Sequence, residues 1–179
     1  MNDMTQIEQK NLISERMKLR PLRGSDFGLI EMHRSDARVA KMTPAIPHPL
    51  PPGATEALLA RASDPEREVD IWAMDASIHG GPEVVGLISL TKLDKSQSEI
   101  SYWVAPAYWN TGAASDAVAT LIKANPLGNC TIFASVFHDN PASARVLTNV
   151  GFAYIGDAET FCVARGANVP TWTYLRKLD

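Results

Sequence analysis

The chain has 179 residues, which is enough for one domain with a complete hydrophobic core. Hydrophobic residues make up 45% and charged residues 21% of it, and this balance argues against disorder. The net charge of −3 gives no basic field, which argues against nucleic acid as a direct partner. No apolar run is long enough to span a membrane and the first residues are polar, so we expect a cytoplasmic protein without a membrane partner.

The first half of the chain predicts a strand, two helices and three further strands. Residues 1–11 form a polar leader, and the alternating segment 17–22 predicts the first strand. Ser25 or Asp26 is a candidate cap for the first helix. The loop 43–53 contains five prolines and leads to a second short helix. The next three strands are predicted over 69–74, 84–93 and 98–104.

The second half alternates helices and strands. Residues 108–122 pass from turn-forming residues directly into helical spacing after Ala113, and 130–137 predicts a strand. The next segment predicts a short helix, capped by Asp139 or Asn140 and ended by Gly151. Strand-like segments close the chain at 153–164 and 171–178. This order predicts an α/β fold with a mixed sheet, because an antiparallel part is followed by a crossover that requires parallel pairing.

The turn before the third helix is a candidate anion site. A chain that turns through Gly112 straight into a helix leaves several backbone N–H groups pointing out of the helix start. Together with the positive end of the helix dipole, these groups can hold a phosphate. The alternative is a turn without a ligand.

Two segments carry a family resemblance: "SEISYWVAPAYWNTGAASDAV" (98–118) and "HDNPASARVLTNVGF" (138–152). Their order and spacing resemble the GCN5-related N-acetyltransferases, and more narrowly the branch with the Rim-type ribosomal-protein N-acetyltransferases. The resemblance spans about Leu12 to Leu178 and implies a single domain over 12–179. It implies a twisted mixed sheet that is split between its fourth and fifth strands and flanked by about four helices.

The resemblance also implies acetyl-CoA as co-substrate. Its pantetheine arm would pair with the backbone near Trp103 and Val104. Its pyrophosphate would lie on the N–H groups of Asn110, Thr111, Gly112, Ala113, Ala114 and Ser115. The sequence departs from the family pattern at three positions: Asn110 and Ser101 replace usual glycines, and Thr111 replaces a usual arginine or lysine. We therefore expect the phosphates to be held mostly by main-chain groups.

The resemblance assigns candidate roles to four side chains. Glu99 would act through water as the general base, and Ser143 would donate a hydrogen bond to the departing thiolate or to the cofactor. Asn140 would bind pantetheine or orient the substrate, and Arg145 would reach the outer phosphate. The alternatives are a solvated glutamate at a strand end, a helix-surface serine, a plain helix cap and a solvated helix arginine. The tyrosine acid of many superfamily members is replaced by Leu147, and we interpret Tyr102 and Tyr108 as packing residues.

The histidines and cysteines indicate neither a metal site nor a nucleophilic mechanism. No pair of histidines has ligand spacing, and Cys130 and Cys162 lack it too. We expect two buried free thiols, a disulfide being the alternative. His48, in the proline loop, is a minor candidate because the resemblance implies that this loop lines the acceptor site.

The predicted function is direct acetyl transfer from acetyl-CoA to a primary amine, with no metal. The acceptor is a protein N-terminus or a small-molecule amine, and the sequence does not choose between them. A homodimer is compatible with the sequence. One alternative is a non-catalytic acyl-CoA-binding or regulatory module on the same fold, and another is an α/β protein with a different nucleotide ligand.

Overall fold

The computed structural model describes residues 8–178 and places eight strands of this range in one mixed sheet. The strands are β1 (Leu12–Ile13), β2 (Lys18–Pro21), β3 (Val69–Asp75), β4 (Gly86–Lys92), β5 (Gln97–Val104), β6 (Thr131–Phe137), β7 (Ala153–Cys162) and β8 (Ala167–Lys177). Their order is β1-β2-β3-β4-β5-β6-β8-β7, and only the β5–β6 pair is parallel. The predicted mixed α/β fold is confirmed. The two-residue strand β1 is too short to show a pattern in the sequence.

Within residues 8–178 the sheet is accompanied by five α-helices, one more than predicted. They are α1 (Phe27–Arg34), α2 (Ala37–Ala40), α3 (Ala54–Ser63), α4 (Ala113–Ala124) and α5 (Pro141–Asn149). The additional helix is the single turn α2, which Asp36 caps by accepting the N–H of Arg38 at 2.9 Å. The proline-rich segment forms a loop between α2 and α3, as expected.

The core has two layers because side chains alternate along each strand. Trp72 and Met74 of β3 belong to the larger cluster, which includes the buried residues of α4 and α5. Ile71 and Ala73 belong to the opposite cluster, which includes residues of α1 and α3. The sheet therefore has α4 and α5 on one face and α1 and α3 on the other, and successive side chains of β5 point alternately to these two faces.

Asp26 precedes α1 but does not cap it with its side chain. Its carboxylate instead accepts two hydrogen bonds from the buried guanidinium of Arg20, at 2.8 and 2.7 Å. Arg20 Nε donates to Asp75 of β3 at 2.8 Å. This buried network fixes the start of α1 to the sheet, and it raises the pKa of Arg20 chiefly through the hydrogen bond to Asp26.

Strands β5 and β6 separate soon after they meet. Their register joins residues 97–99 to residues 131–133 and ends at the pair Glu99–Phe133. Beyond this pair, β5 continues beside β4, while β6 continues beside β8. A gap therefore opens in the sheet after Glu99. Because β1 was not predicted, the fourth and fifth predicted strands are β5 and β6 of the structure. The gap lies between these two strands, so the predicted split is confirmed.

Residues 1–7 of the predicted leader lie outside the described residues, whereas Lys10 accepts a hydrogen bond from the Trp72 indole at 2.9 Å. Both cysteines are free thiols, but only Cys162 is buried. The expectation of burial is wrong for Cys130, which lies just before β6 begins. Among the described residues, no helix is both long and apolar enough to cross a membrane.

Candidate active site

The gap between β5 and β6 exposes backbone groups of β5. The Ser96 carbonyl accepts the Cys130 N–H at 2.7 Å, so the even-numbered residues of this segment direct their N–H and C=O groups toward β6. The Val104 carbonyl, on the same side, accepts the indole N–H of Trp109 at 2.6 Å. Tyr102 lies between them, beyond the last β5–β6 pair. Its N–H and C=O therefore face the gap and can pair with an extended ligand.

Trp103 faces away from the gap in both backbone and side chain. Its carbonyl points toward β4, where it lies so close to Gly86 that a side chain at position 86 would collide with it. Its indole makes an edge-on contact with the His33 ring of α1, at a centroid distance of 6.1 Å. Of the two residues that sequence analysis assigned to pantetheine, Val104 faces the gap and Trp103 does not. The backbone of Tyr102 faces the gap in its place.

The turn before α4 has the backbone form that the sequence indicates. Asn110 and Gly112 have positive φ angles of 60° and 83°, and α4 begins at Ala113. The first backbone bond into the helix runs from the Asp116 N–H to the Gly112 carbonyl at 3.0 Å. Within residues 8–178, none of the backbone N–H groups of residues 110–115 donates a hydrogen bond. These free donors lie at the positive end of α4 and suit an anionic ligand.

A cation reaches this turn from a distant part of the sequence. Arg16, in the turn between β1 and β2, donates through Nη2 to the Thr111 carbonyl. A Cβ atom on Gly112 would collide with its Nη1. Sequence analysis missed this residue because Arg16 and Thr111 are 95 positions apart. No local pattern in the sequence links them.

Helix α5 brings Ser143 against a side chain of β5. The Ser143 hydroxyl lies 2.7 Å from the Tyr102 hydroxyl, whose single proton can be donated to this hydroxyl or to the Ser143 carbonyl at 3.2 Å. Burial raises the pKa of Tyr102 to about 12, so this phenol stays protonated at neutral pH. The interpretation of Tyr102 as a packing residue is therefore incomplete, because its hydroxyl holds the Ser143 side chain.

Asn140 and Arg145, the other two candidate residues of the α5 region, differ because Asn140 is hydrogen-bonded and Arg145 is exposed. Asn140, rather than Asp139, caps the helix, and its side-chain oxygen accepts the Ser143 N–H at 3.4 Å. Arg145 is exposed and forms no ion pair with the residues that the structure describes. Its guanidinium is therefore available to a ligand on the exposed side of α5.

Glu99 marks the closed end of the gap. It is the last β5 residue paired with β6, and it lies on the opposite face of the sheet from Tyr102 because the two positions differ by an odd number. The residue is solvent-accessible, yet desolvation by the surrounding protein raises the pKa of its carboxyl. Its carboxylate forms no ion pair within residues 8–178. A carboxylate with a raised pKa and no cationic partner is suited to accept a proton.

The proline loop lies on the face of the sheet that carries Glu99 and Trp103, where its Ile46 and Leu50 cluster with Trp103. The Pro44 carbonyl accepts the Val163 N–H at 3.0 Å, and Arg165 Nε donates to the Lys41 carbonyl at 2.8 Å. These bonds fasten the loop to the turn between β7 and β8. The loop and this turn therefore form a continuous wall on the side opposite α4 and α5. Among the described residues, no three potential metal ligands come together.

Comparison with known proteins identifies the family. Residues 16–153, more than half of the chain, match the acetyltransferase (GNAT) domain. The chain belongs to this family. Its curated relative "Uncharacterized N-acetyltransferase YoaA" of Bacillus subtilis (strain 168) is 31% identical over 96 residues. The match includes 51% of this acetyltransferase domain and 54% of YoaA, so the chain spans about half the length of that relative.

Solved structures share the fold of this acetyltransferase domain. A GNAT-family acetyltransferase from Bacillus anthracis superposes with a TM-score of 0.78 at 20% identity, over 94% of this chain and 98% of that one. RimJ of Mycobacterium smegmatis, in complex with CoA-disulfide, also gives 0.78 at 20% identity, over 94% and 86% of the two chains. The GNAT fold is thereby established, and acetyl-CoA is the acetyl donor that the family uses.

Proposed function

We propose that this domain transfers the acetyl group of acetyl-CoA directly to the nitrogen of a primary amine. The observation that carries the proposal is the gap beyond Glu99. Free backbone groups of Tyr102 line it, a proton acceptor lies on one face, and the Ser143 hydroxyl approaches from the other. The free N–H groups of residues 110–115 lie beyond its open end, where paired phosphates would be bound.

In the proposed reaction, the amine nitrogen attacks the thioester carbonyl carbon, a C–N bond forms and the C–S bond breaks. Glu99 accepts the amine proton through a water molecule. The Ser143 hydroxyl donates a hydrogen bond to the leaving thiolate. Tyr102 acts as a positioning residue when its phenol donates to the Ser143 hydroxyl oxygen, because the serine proton is then free for the thiolate. The thiolate then takes up a proton and leaves as the CoA thiol.

Direct transfer agrees with the positions of the two cysteines. Cys130 lies at the closed end of the gap, next to Ser96, and Cys162 is buried beneath the proline loop, where it contacts the Thr43 carbonyl. Neither thiol lies beside the free backbone of Tyr102. A covalent acetyl-cysteine intermediate therefore finds no support in this geometry.

We propose a place for the acceptor amine between Glu99 and the wall formed by the proline loop. Trp103 and His33 lie on this face, and desolvation lowers the pKa of His33, so the imidazole is neutral at pH 7. The acceptor is a protein N-terminus, as in the Rim-type branch that the sequence resembles, or a small-molecule amine. The fold that this chain shares with RimJ is compatible with that branch.

Two measurements on the same preparation test the proposal. We expect acetyl-CoA to raise the melting temperature, and we expect CoA release with a panel of small amines and peptides that have free N-termini. Mass spectrometry should find the acetyl group on the amine nitrogen. A clear thermal shift without turnover over the whole panel would instead favour a non-catalytic acyl-CoA-binding module. No shift and no turnover would contradict acetyl-CoA as the ligand.

A further inference from the structure

The phosphate turn has a basic residue after all, but it comes from another part of the chain. Thr111 stands where the resemblance leads one to expect arginine or lysine, and Arg16 reaches the same turn from the β1–β2 connection. We propose that Arg16 binds the pyrophosphate of the acyl-CoA donor and sets the preference for a phosphorylated donor. This inference rests on the proposed function and adds a binding residue to it.

Arg16 is positioned by contacts on both sides of the β1–β2 turn. The Ser14 hydroxyl donates to the Asp116 carboxylate in the first turn of α4 at 2.5 Å, and it accepts the N–H of Met17 at 3.1 Å. On the other side, a ring nitrogen of His79 hydrogen-bonds to the Glu15 carbonyl. The first bond ties the β1–β2 turn to α4 and the last ties it to the connection between β3 and β4, so the fold itself brings the guanidinium to the helix start.

The charge of Arg16 is available to a ligand. Within residues 8–178 its guanidinium forms no ion pair, whereas Arg20, Arg23 and Arg165 are each paired with carboxylates. Its described bond is donated to the neutral carbonyl of Thr111, and a guanidinium has five N–H donors in a planar fork. Several donors therefore remain for phosphate oxygens, with which arginine forms bidentate hydrogen bonds.

One feature of the turn itself agrees with an anion at this position, although the carboxylate of Asp116, held by the Ser14 hydroxyl, opposes it. Gly112 has no side chain where Nη1 of Arg16 lies, so the close approach of the guanidinium depends on glycine. The free N–H groups of residues 110–115 supply further donors next to the cation.

The test is binding calorimetry of Arg16→Gln with three donors that differ in their phosphates. We expect about a 10- to 100-fold loss of affinity for acetyl-CoA. The same loss is expected for acetyl-dephospho-CoA, which keeps the pyrophosphate. S-acetylpantetheine has no phosphate, and its affinity should be unchanged by the substitution. Arg16→Lys should recover part of the loss, because lysine keeps the charge but not the planar fork.

Two control variants make the result specific. Arg61→Gln removes the same charge from an exposed position of α3, on the opposite face of the sheet from α4, and should bind all three donors normally. Arg145→Gln should weaken acetyl-CoA but spare acetyl-dephospho-CoA if Arg145 contacts the outer phosphate.

Three outcomes would overturn the inference. Unchanged acetyl-CoA affinity in Arg16→Gln would show that Arg16 does not bind the phosphates. An equal loss with S-acetylpantetheine would assign Arg16 a structural role in the turn. Failure of the wild-type protein to bind acetyl-CoA would contradict the proposed function itself. This outcome differs from a failure of the Arg16 inference alone, because the control variants would then bind no donor either.

Discussion

The substitution Gly112→Ala separates the special position of this glycine from its backbone conformation. Gly112 and Gly53 have the same φ angle of 83°, and each precedes a helix that begins with alanine. A Cβ atom on Gly53 would meet nothing within 4 Å, whereas a Cβ atom on Gly112 would collide with the Arg16 guanidinium. Gly53→Ala is therefore a matched control that shares the conformational strain and lacks the collision.

The expected magnitudes follow from this difference. Left-handed backbone costs a non-glycine residue roughly 1–2 kcal/mol, so both variants should lose about that much free energy of unfolding. Gly112→Ala should lose little more stability than this, because the Arg16 guanidinium ends a flexible, exposed side chain and can move aside, but that move displaces it from Thr111. The variant should therefore bind acetyl-CoA at least about tenfold more weakly, which corresponds to about 1.4 kcal/mol.

Denaturant unfolding and calorimetric titration with acetyl-CoA provide the two measurements. Gly53→Ala should bind acetyl-CoA like the wild-type protein despite its lower stability. If the two variants bound acetyl-CoA equally well, the contact between Arg16 and Gly112 would have no part in ligand binding.

Three further substitutions test the remaining contacts. Glu99→Gln should lower turnover about 100-fold at neutral pH. In the wild type, the acidic limb of the kcat/KM profile should lie above the ordinary glutamate range because the pKa of Glu99 is raised, and this limb should disappear in the variant. An unchanged profile would exclude Glu99 as the base. The substitution should not lower stability at neutral pH, because a raised carboxyl pKa means that the folded state disfavours the charge. Tyr102→Phe should reduce kcat about 3- to 10-fold because the hydrogen bond to Ser143 is lost, and its acetyl-CoA affinity should be retained. If the variant kept the kcat of the wild type, this hydrogen bond would have no part in the reaction. Arg20→Met should lower the free energy of unfolding, measured by chemical denaturation, by about 3–5 kcal/mol, because it leaves buried Asp26 and Asp75 without their cation. A loss below about 1 kcal/mol would contradict this structural role of Arg20.

The main elements of the fold could be predicted because their signals are local. Alternation identified the longer strands, and the turn from Gly112 into Ala113 identified the start of α4. Pro141 at the first position of α5 fixed that helix to within a residue, although Asn140 and Asp139 were not distinguished as its cap. The short elements β1 and α2 were missed because two and four residues span only about one period each, which is too little to show a repeat.

The side-chain contacts of the candidate site could not be predicted in the same way. The bond between Tyr102 and Ser143 joins residues 41 positions apart, and the contact of Arg16 with Thr111 joins residues 95 positions apart. Each depends on how two distant elements meet in the folded sheet. Sequence analysis therefore inferred a phosphate turn without a cation, and the structure places one there.

The central claim is acetyl transfer to an amine at the gap beyond Glu99, and one measurement tests it most directly. Wild-type protein and Glu99→Gln are incubated with acetyl-CoA and the amine panel, and CoA thiol and N-acetylated product are quantified together. We predict equal amounts of thiol and N-acetyl product from the wild type, and a large reduction of both in Glu99→Gln. Thiol release without any N-acetylated amine, or no release with any acceptor although acetyl-CoA binds, would contradict the claim.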